Sequence, residues 1–309
     1  MQEVTVIAPA TVSNVVCGFD CLGFALAEPF DELTLRWMAE RTVRIRHRDK
    51  FGLPTDPQKN VAGVALLAMI KEARLDHGFE IEIRKGMKPG SGIGSSAASA
   101  CGAVVAANRI LDDRFSELDL VRFAIEGELA ASGARHADNV APCIFGGFTL
   151  VRSNDPLDIV QLEFPKLFAT VIHPLIEIKT AEARALLPLE VPLADAVRQW
   201  GNLGSFVAGL SRGDYALVRR SMQDFIVEPV RKSLIPGFDR IKESCLDAGA
   251  IGGGISGSGP SVFMLSETGE QASNLANVMR GAFEPTGIEF NIYVSEIKSE
   301  GARVAGAGQ

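Results

Sequence analysis

The chain has 309 residues, of which 47% are hydrophobic and 22% charged, so it can bury enough apolar surface for two domains. A formal net charge of −7 at pH 7 argues against a general nucleic-acid-binding surface, because such surfaces are basic. No apolar run approaches the roughly 20 residues that cross a bilayer, so no membrane association is predicted. Five cysteines without metal or redox spacing indicate reduced thiols and a cytoplasmic protein.

The first third of the chain predicts strands and then helices. Strands are predicted where polar and apolar residues alternate: residues 4–9, 33–37, 42–46 and 79–84. A helix is predicted from Asn60 to Ala73, where apolar residues recur at helical spacing. Residues 97–111 are small and apolar on nearly all sides, which predicts a buried helix. A second helix is predicted from Ser116 to Ala131, with Ser116 as its cap and Asp119 in its first turn.

The remainder predicts three strands, four helices and a strand–helix–strand end. The strands are predicted at 146–152, 159–164 and 168–173, and the helices at 180–187, 194–211, 216–225 and 238–248. A strand then ends a second glycine-rich stretch, a helix covers 270–283, a strand covers 289–297, and residues 300–309 are expected to be loose. This order favours an α+β protein with two domains, 1–160 and 161–309, over a doubly wound sheet.

The stretch PGSGIGSS, residues 89–96, lies between a predicted strand and a predicted helix. Glycines allow close backbone approach, and a helix N-terminus offers unpaired N–H donors, so this arrangement suits phosphate. Ser95 and Ser96 add hydroxyls for phosphate or Mg²⁺, and Lys88 adds charge. The stretch matches neither the P-loop pattern, because no lysine follows the glycines, nor GxGxxG. A tight turn before a closely packed helix is the alternative interpretation.

Four stretches together resemble the motifs of the GHMP kinase superfamily and, within it, the homoserine kinases. They are PGSGIGSSAAS (89–99), APATVSNVVCGFDCLGFAL (8–26), HADNVAPCIFGGFTLV (136–151) and GGGISGSGPSVFML (252–265). Two positions depart from the family pattern, since Lys88 and Cys17 stand where proline is common. The resemblance implies ATP-dependent phosphorylation of the side-chain hydroxyl of L-homoserine to O-phospho-L-homoserine. It also implies an N-terminal α/β domain with a left-handed βαβ crossover, a rare connection, and a ferredoxin-like C-terminal domain, with the site between them.

The resemblance assigns ATP and Mg²⁺ to particular residues. The ATP-binding set comprises Asn60 near the adenine and the whole glycine-rich loop, which is Lys88, Pro89, Gly90, Ser91, Gly92, Ile93, Gly94, Ser95 and Ser96. Ser96 and Glu128 are the implied ligands of Mg²⁺. Glu126 competes with Glu128 for this role, and a surface carboxylate is the alternative interpretation of both. The rest of the adenine pocket, around residues 61–66, is not fixed by the sequence.

The substrate's charged groups need oppositely charged side chains. L-Homoserine carries an ammonium group, for which Asp20 and Asp138 are candidates. Its carboxylate suits the planar fork of arginine. Arg184 and Arg231 match positions that bind a substrate carboxylate in similar enzymes. Without the resemblance, each arginine reads as a surface residue on a helix.

The hydroxyl end of the substrate has fewer assignments. Asn14 and Asn139 can form hydrogen bonds with it, and Asn139 is expected to orient the attacking hydroxyl. Asp138 is expected first to bind substrate, with a role as base left open, because a loose transition state asks little of a base. His136 either shapes the pocket or is structural.

Several alternatives stay open at this stage. One is a GHMP kinase for another small alcohol, such as mevalonate, a sugar or shikimate. A sugar substrate would leave the arginines Arg184 and Arg231 without a purpose. Another is a catalytically silent ATP-binding regulatory protein, and a third is a module whose glycine loops serve packing alone. Dimers are common among such enzymes, so a homodimer is one further expectation.

Overall fold

The first half of the chain builds most of a mixed sheet. The computed structural model describes residues 3–133, 135 and 137–306. Six strands of this sheet come from the first half of that range: β1 (Glu3–Ser13), β2 (Leu22–Met38), β3 (Val43–His47), β4 (Gly78–Arg84), β5 (Phe148–Asn154) and β6 (Leu157–Leu162). β1 pairs with β2, and β2 with β4, in antiparallel fashion, whereas β3 and β4 are parallel. β5 pairs with the first three residues of β2, and β6 pairs with β5.

Four helices belong to this half: α1 (Val61–Ala73), α2 (Ser95–Ile110), α3 (Glu117–Ser132) and α4 (Val140–Phe145). α2 packs against β1 and β2 on one side and against α1 and α3 on the other. Its own residues are therefore small and apolar on nearly every side. The predicted cap of α3 is confirmed, because Ser116 and Asp119 form a capping box. β3, α1 and β4 form the expected βαβ unit, since α1 connects the two parallel strands.

The second half contains an antiparallel sheet. β7 (Phe168–Pro174) is followed by α5 (Thr180–Ala185), α6 (Leu193–Arg212), α7 (Tyr215–Ser221), α8 (Glu228–Arg231) and α9 (Phe238–Asp247). Then come β8 (Gly252–Ile255), β9 (Val262–Ser266), α10 (Gly269–Phe283) and β10 (Phe290–Glu296). The spatial order β10-β7-β9-β8 is the strand order of a ferredoxin-like fold. α9 and α10 pack on this sheet through a second apolar cluster, so the predicted fold class is confirmed.

The end of the described chain differs from expectation. Residues 300–309 were expected to be loose, yet β11 (Arg303–Val304) pairs with β1 through Val6 and Ile7. Two other segments were not anticipated. α4 follows the HADN segment directly, and β8 consists of three glycines and one isoleucine, a composition with low strand propensity.

The larger apolar core crosses the predicted domain boundary. Phe206 and Leu210 of α6 and Phe263 of β9 belong to the same buried cluster as the residues under the first sheet. β6 itself spans the predicted division at residue 160. The division into 1–160 and 161–309 stays a prediction. None of the helices within the described ranges has both the length and the apolarity to cross a membrane.

Candidate active site

A cleft of about 620 Å³ lies between the two halves of the protein. It brings together most of the residues predicted from the sequence: Asn14, Asp20, Asn60, Pro89, Gly90, Ser91, Gly92, Gly94, Ser95, Ser96, Glu128, Asp138, Asn139, Arg184 and Arg231. Two predicted residues lie elsewhere. Lys88 is exposed and does not line the cleft, and the side chain of Ile93 is fully buried in the core. His136 lies outside the described residues.

The glycine-rich loop has a backbone that favours glycine at three positions. Gly90, Gly92 and Gly94 have φ values of 74°, 77° and 68°, in the left-handed region. A Cβ on Gly94 would lie 2.0 Å from Oγ1 of Thr11, so this position has no room for a side chain. α2 begins at Ser95, and no described side chain forms a capping hydrogen bond at its start. The residues at this end of α2, Gly94, Ser95 and Ser96, line the cleft, so an uncapped helix N-terminus suited to an anion borders it.

The second glycine-rich stretch holds the loop in place. Ser256 donates a hydrogen bond to the carbonyl of Gly92 at 2.7 Å, and Ser261 donates to the carbonyl of Ser91 at 2.6 Å. The N–H of Gly257 donates to the carbonyl of Ser13 at 3.1 Å. Because each bond joins residues from opposite halves of the chain, two serine side chains and one main-chain N–H tie the two halves together beside the loop.

A buried ion pair that the sequence did not reveal supports the start of α2. The ammonium group of Lys85 contacts the carboxylate of Asp31 and donates to the carbonyl of Ser95 at 2.5 Å and to Oγ of Ser99 at 2.8 Å. Asp31 also accepts from the N–H of Gly86 at 2.9 Å. All three N–H donors of the Lys85 ammonium group therefore have protein partners. Lys85 thus stabilises the loop and is not a phosphate ligand.

Two oxygens at the other side of the loop suit a hard cation. Oγ of Ser96 lies 3.0 Å from Oε2 of Glu128, and both residues line the cleft. Burial raises the pKa of Glu128 to about 7, and Ser96 and Lys85 act in the opposite direction. The rival residue, Glu126, instead forms a salt bridge with Arg135 at 2.8 Å.

The donor set fits Mg²⁺. In nucleotide enzymes this ion is held by one or two protein oxygens, substrate phosphates and water. Over residues 3–133, 135 and 137–306, His, Cys, Asp and Glu form no cluster of three or more that would hold a metal by themselves. Ser96 and Glu128 therefore provide a partial site that a bound triphosphate would complete.

Opposite charges meet at the far end of the cleft. Arg184 of α5 donates to both carboxylate oxygens of Asp20, at 2.8 and 2.9 Å. Arg231, at the end of α8, is buried and donates to the carbonyls of Ala183 and Gly257. The ring of Phe19 lies beneath both guanidinium groups, at 5.5 Å from Arg184 and 5.0 Å from Arg231.

Asp138 and Asn139 lie between this charged end and the glycine-rich loop. Oδ1 of Asn139 accepts from Thr11 at 2.8 Å, and Nδ2 donates to Ser13 at 2.8 Å. These two bonds fix the plane of the amide and leave one N–H of Asn139 for a ligand. Burial, and then the negative charge of Asp20, raises the pKa of Asp138 to about 7. A hydrogen bond with Ser13 partly opposes this shift.

Two asparagines among the predicted ligands have structural partners. Asn60 caps α1, since its Oδ1 accepts from the N–H of Ala62 at 3.0 Å, and its Nδ2 donates to the carbonyl of Pro54 at 2.8 Å. Asn14 adopts a left-handed conformation, with Oδ1 accepting from the N–H of Asp20 and Nδ2 donating to the carbonyl of Gly257. Both therefore shape the walls of the cleft.

Comparison with known proteins agrees with this geometry. The family model for the N-terminal domain of GHMP kinases matches residues 60–147, and the model for the C-terminal domain matches residues 206–285. A homoserine kinase from Chloroherpeton thalassium is 43% identical over 98% of this chain and 100% of its own length. One from Chlorobium phaeobacteroides is 44% identical, with the same coverage. The crystal structure of homoserine kinase from Cytophaga hutchinsonii matches with a TM-score of 0.95 and 49% identity, covering 98% of both chains.

The ferredoxin-like half, the glycine-rich loop at the start of α2 and the cleft between the halves define a GHMP kinase. Within that superfamily, these two relatives, which are more than 40% identical over nearly the whole chain, are homoserine kinases. The chain belongs to the homoserine kinase family.

Proposed function

We propose that this protein transfers the γ-phosphoryl group of ATP to the side-chain oxygen of L-homoserine, yielding ADP and O-phospho-L-homoserine for threonine biosynthesis. The observation that carries this proposal is the position of Asp20, Arg184 and Arg231 in the same cleft as the glycine-rich loop. A carboxylate beside two guanidinium groups matches an amino-acid zwitterion. The loop suits a triphosphate. The shared cleft brings the two substrates together.

The phosphoryl group is held by the loop between β4 and α2. The N–H groups at the start of α2 bind phosphate oxygens, and the positive end of the helix dipole favours their charge. Ser96 and Glu128 would hold Mg²⁺, which would supply positive charge to offset that of the phosphates. Lys85 keeps the first turn of α2 in position by binding the carbonyl of Ser95. Catalysis by these residues is largely positioning and electrostatic stabilisation.

The amino-acid part of homoserine binds at the opposite end of the cleft. Its ammonium group takes a place beside Asp20, and its carboxylate takes a place beside Arg184 and Arg231. Phe19 holds both arginines from below, so their planes are set before the substrate arrives. This arrangement points the side-chain hydroxyl towards Asn139 and the glycine-rich loop.

Asn139 and Asp138 have separate roles at the hydroxyl group in this scheme. Asn139, fixed by Thr11 and Ser13, orients the hydroxyl oxygen towards the phosphorus. A pKa of about 7 makes Asp138 able to accept the released proton near neutral pH. Because the proton leaves late in a loose transition state, little basicity is required, and Asp138 serves first as a ligand of the substrate.

Two alternatives receive less support from the same residues. A GHMP kinase for a neutral alcohol would have no use for two arginines at the substrate end of the cleft. A silent ATP-binding protein would not need Ser96 and Glu128 in contact. The proposal also includes a cytoplasmic location and a homodimer.

The proposal is tested by a coupled ADP-release assay with Mg²⁺ and ATP. L-Homoserine is compared with mevalonate, galactose, shikimate and L-threonine, and a Ser96→Ala, Glu128→Ala double variant provides the blank. Turnover on L-homoserine alone, lost in the double variant, is the expected result. Turnover on galactose instead would remove the assignment of Arg184 and Arg231 to a substrate carboxylate, whereas turnover on mevalonate, shikimate or L-threonine instead would overturn homoserine as the substrate. If none of the five compounds is phosphorylated, the proposal that the protein is a kinase is wrong.

A further inference from the structure

Two half-buried polar residues, Gln199 and Asp224, are hydrogen-bonded to each other outside the cleft. Gln199 belongs to α6, Asp224 lies between α7 and α8, and neither side chain lines the cleft. Nε2 of Gln199 donates to Oδ1 of Asp224 at 3.0 Å, and Oε1 of Gln199 accepts from the N–H of Phe225 at 3.0 Å. Asp224 shares a small second cavity with Phe19 and Arg231. The role of the pair must therefore come from the segments that it connects, because it does not touch a substrate in the cleft.

Asp224 organises the start of α8. Its carboxylate accepts from the main-chain N–H groups of Ile226, Val227 and Glu228, at 2.9, 3.0 and 2.8 Å. Such groups have no acceptor within their own helix, because a helix leaves its first N–H groups unpaired. A negative charge at this end of a helix is also favourable. α8 has only four residues and ends at Arg231, so the position of its start also fixes the position of this arginine.

The side chain of Arg231 has further support of its own. Nε donates to the carbonyl of Ala183 at 3.2 Å, and Nη1 donates to the carbonyl of Gly257 at 3.3 Å. Burial lowers the pKa of Arg231, and the negative charge of Asp224 is among those that oppose this shift. Asp224 therefore stabilises the guanidinium group by its charge, in addition to holding the main chain that carries it.

Gln199 connects Asp224 with the substrate loop, which we define as residues 14–21 and which carries Asp20. Nε2 of Gln199 donates a second hydrogen bond, to the carbonyl of the buried Cys17, at 3.3 Å. Both N–H groups of this amide and its oxygen are therefore in use. One glutamine side chain thus links a loop from the first half of the chain to the segment that leads into α8.

We infer that Gln199 and Asp224 are positioning residues for the amino-acid part of the substrate. They hold the substrate loop, with Asp20, and α8, with Arg231, at a fixed separation. The ring of Phe19 lies 5.0 Å from the guanidinium group of Arg231, so the loop and the helix meet at the site itself. Binding groups work only when their supports hold them close to the productive geometry. The identity of the substrate in this inference rests on the proposed function.

Gln199→Leu is the principal variant, because leucine has a similar size but forms no hydrogen bonds. KM for L-homoserine should rise by about tenfold, since Asp20 and Arg231 would no longer be held together. kcat at saturating L-homoserine and KM for ATP should both stay within about twofold of the parent, because the phosphate end of the cleft is untouched. A Gln199→Leu, Asp224→Asn double variant should raise KM less than the product of the two single effects, since both residues act through one connection.

Gln271→Leu is the matched control. Gln271 is also half-buried on a helix, α10, and it also joins a main-chain carbonyl and a main-chain N–H, those of Gly249 and Glu267. Gln271 does not line the cleft. Its replacement should lower the melting temperature about as much as Gln199→Leu does, while both KM values stay unchanged. If Gln199→Leu lowers the melting temperature but leaves KM for L-homoserine like that of the control, its role is structural only and the inference is overturned.

Hydrogen exchange gives a measurement that does not depend on turnover. Amides of the substrate loop should exchange about tenfold faster in Gln199→Leu than in the parent, whereas Gln271→Leu should leave their exchange unchanged. If the parent phosphorylates L-homoserine but Gln199→Leu changes neither exchange nor KM, the inference is overturned and the proposed function stands. If exchange differs as expected but the parent does not phosphorylate L-homoserine, the positioning role stands and the proposed function is overturned.

Discussion

Nη2 of Arg184 lies 2.8 Å from Oδ1 and 2.9 Å from Oδ2 of Asp20. The two residues come from opposite halves of the chain, and they are also the proposed ligands of the substrate's carboxylate and ammonium groups. A zwitterion that enters between them offers each a group of opposite charge. The existing ion pair therefore keeps both side chains in place for homoserine, at the cost of one salt bridge when the substrate binds.

Arg184→Lys tests this relationship. Lysine retains the charge but loses the planar fork, so KM for L-homoserine should rise by about tenfold or more, equivalent to about 1.4 kcal/mol. KM for ATP should stay within the error of the wild type, because Arg184 lies at the substrate end of the cleft. Arg212→Lys, at the exposed end of α6, provides the matched control. Equal increases in both KM values would indicate a general loss of structure instead.

The pH dependence of the reaction should report Asp138. Burial and the charge of Asp20 raise its pKa to about 7, while the charge of Glu128 acts in the same direction. The nearby guanidinium of Arg231 and thiol of Cys21 also face this carboxyl group. At saturating Mg²⁺, kcat/KM for L-homoserine should rise with pH and level off above about 7. Asp138→Asn should lower activity and remove this limb; a limb that persists in the variant would assign it to another group.

Ionisation of Asp138, which should increase activity as pH rises, should decrease folding stability. The folded pKa of Asp138, about 7, lies above its ordinary value of 3.8, so the native state retains a proton that the unfolded chain releases. The stability from this group is fully present below about pH 4 and is lost as pH rises through about 7. Asp138→Asn should therefore raise the melting temperature more at pH 8 than at pH 5. An equal change at both pH values would show that the carboxyl group is not perturbed.

The metal assignment separates two nearby glutamates. Glu128→Gln should raise the Mg²⁺ concentration for half-maximal activity by about tenfold or more, because a charged ligand becomes neutral. Glu126→Gln removes only a salt bridge with Arg135 on the outside of α3 and should leave this concentration unchanged. Titration of Mg²⁺ at fixed ATP gives both values. A larger effect at Glu126 would reverse the assignment.

The buried pair of Lys85 and Asp31 makes a further prediction. Lys85→Met should destabilise the protein by about 3–5 kcal/mol and weaken ADP binding, since it leaves a buried carboxylate without its partner beneath the loop. A Lys85→Met, Asp31→Asn double variant should recover most of the stability and bind ADP within about threefold of the wild type, or about 0.7 kcal/mol. Calorimetry measures both quantities. Recovery of stability without recovery of ADP affinity would make Lys85 a direct phosphate ligand.

Regular elements with local signals could be predicted from the sequence. α3 carries its own capping box, and β4 alternates apolar and polar residues along its length. β8 and β11 lack such signals. β8 is a strand because its backbone pairs with β9, and β11 is a strand because its backbone pairs with β1. The short helix α4 contains Pro142, which argues against a helix when read locally. Tertiary contacts decide these three elements.

Some residues of the site could likewise be predicted from the sequence, and others could not. The resemblance led to Ser96, Glu128, Arg184 and Asp20, and the structure brings them to one cleft. Lys85 escaped notice because it follows the exposed Arg84 at a strand end, and a lone lysine there reads as a surface residue. Its partner Asp31 lies in the middle of β2, where only the fold reveals that the side chain is buried. Asn60, which the resemblance assigns to the nucleotide, lines the cleft, and only the structure reveals that its Oδ1 also caps α1.

The pairing of Val6 with Val304 has a consequence for how the protein is made. On the ribosome, β1 is synthesised long before β11, so the part of the edge of β1 that β11 covers stays open until β11 emerges. An open strand edge can pair with other chains. This part of the edge is therefore available for unwanted pairing until β11 is made. A fragment ending at residue 160 would retain that exposed edge permanently.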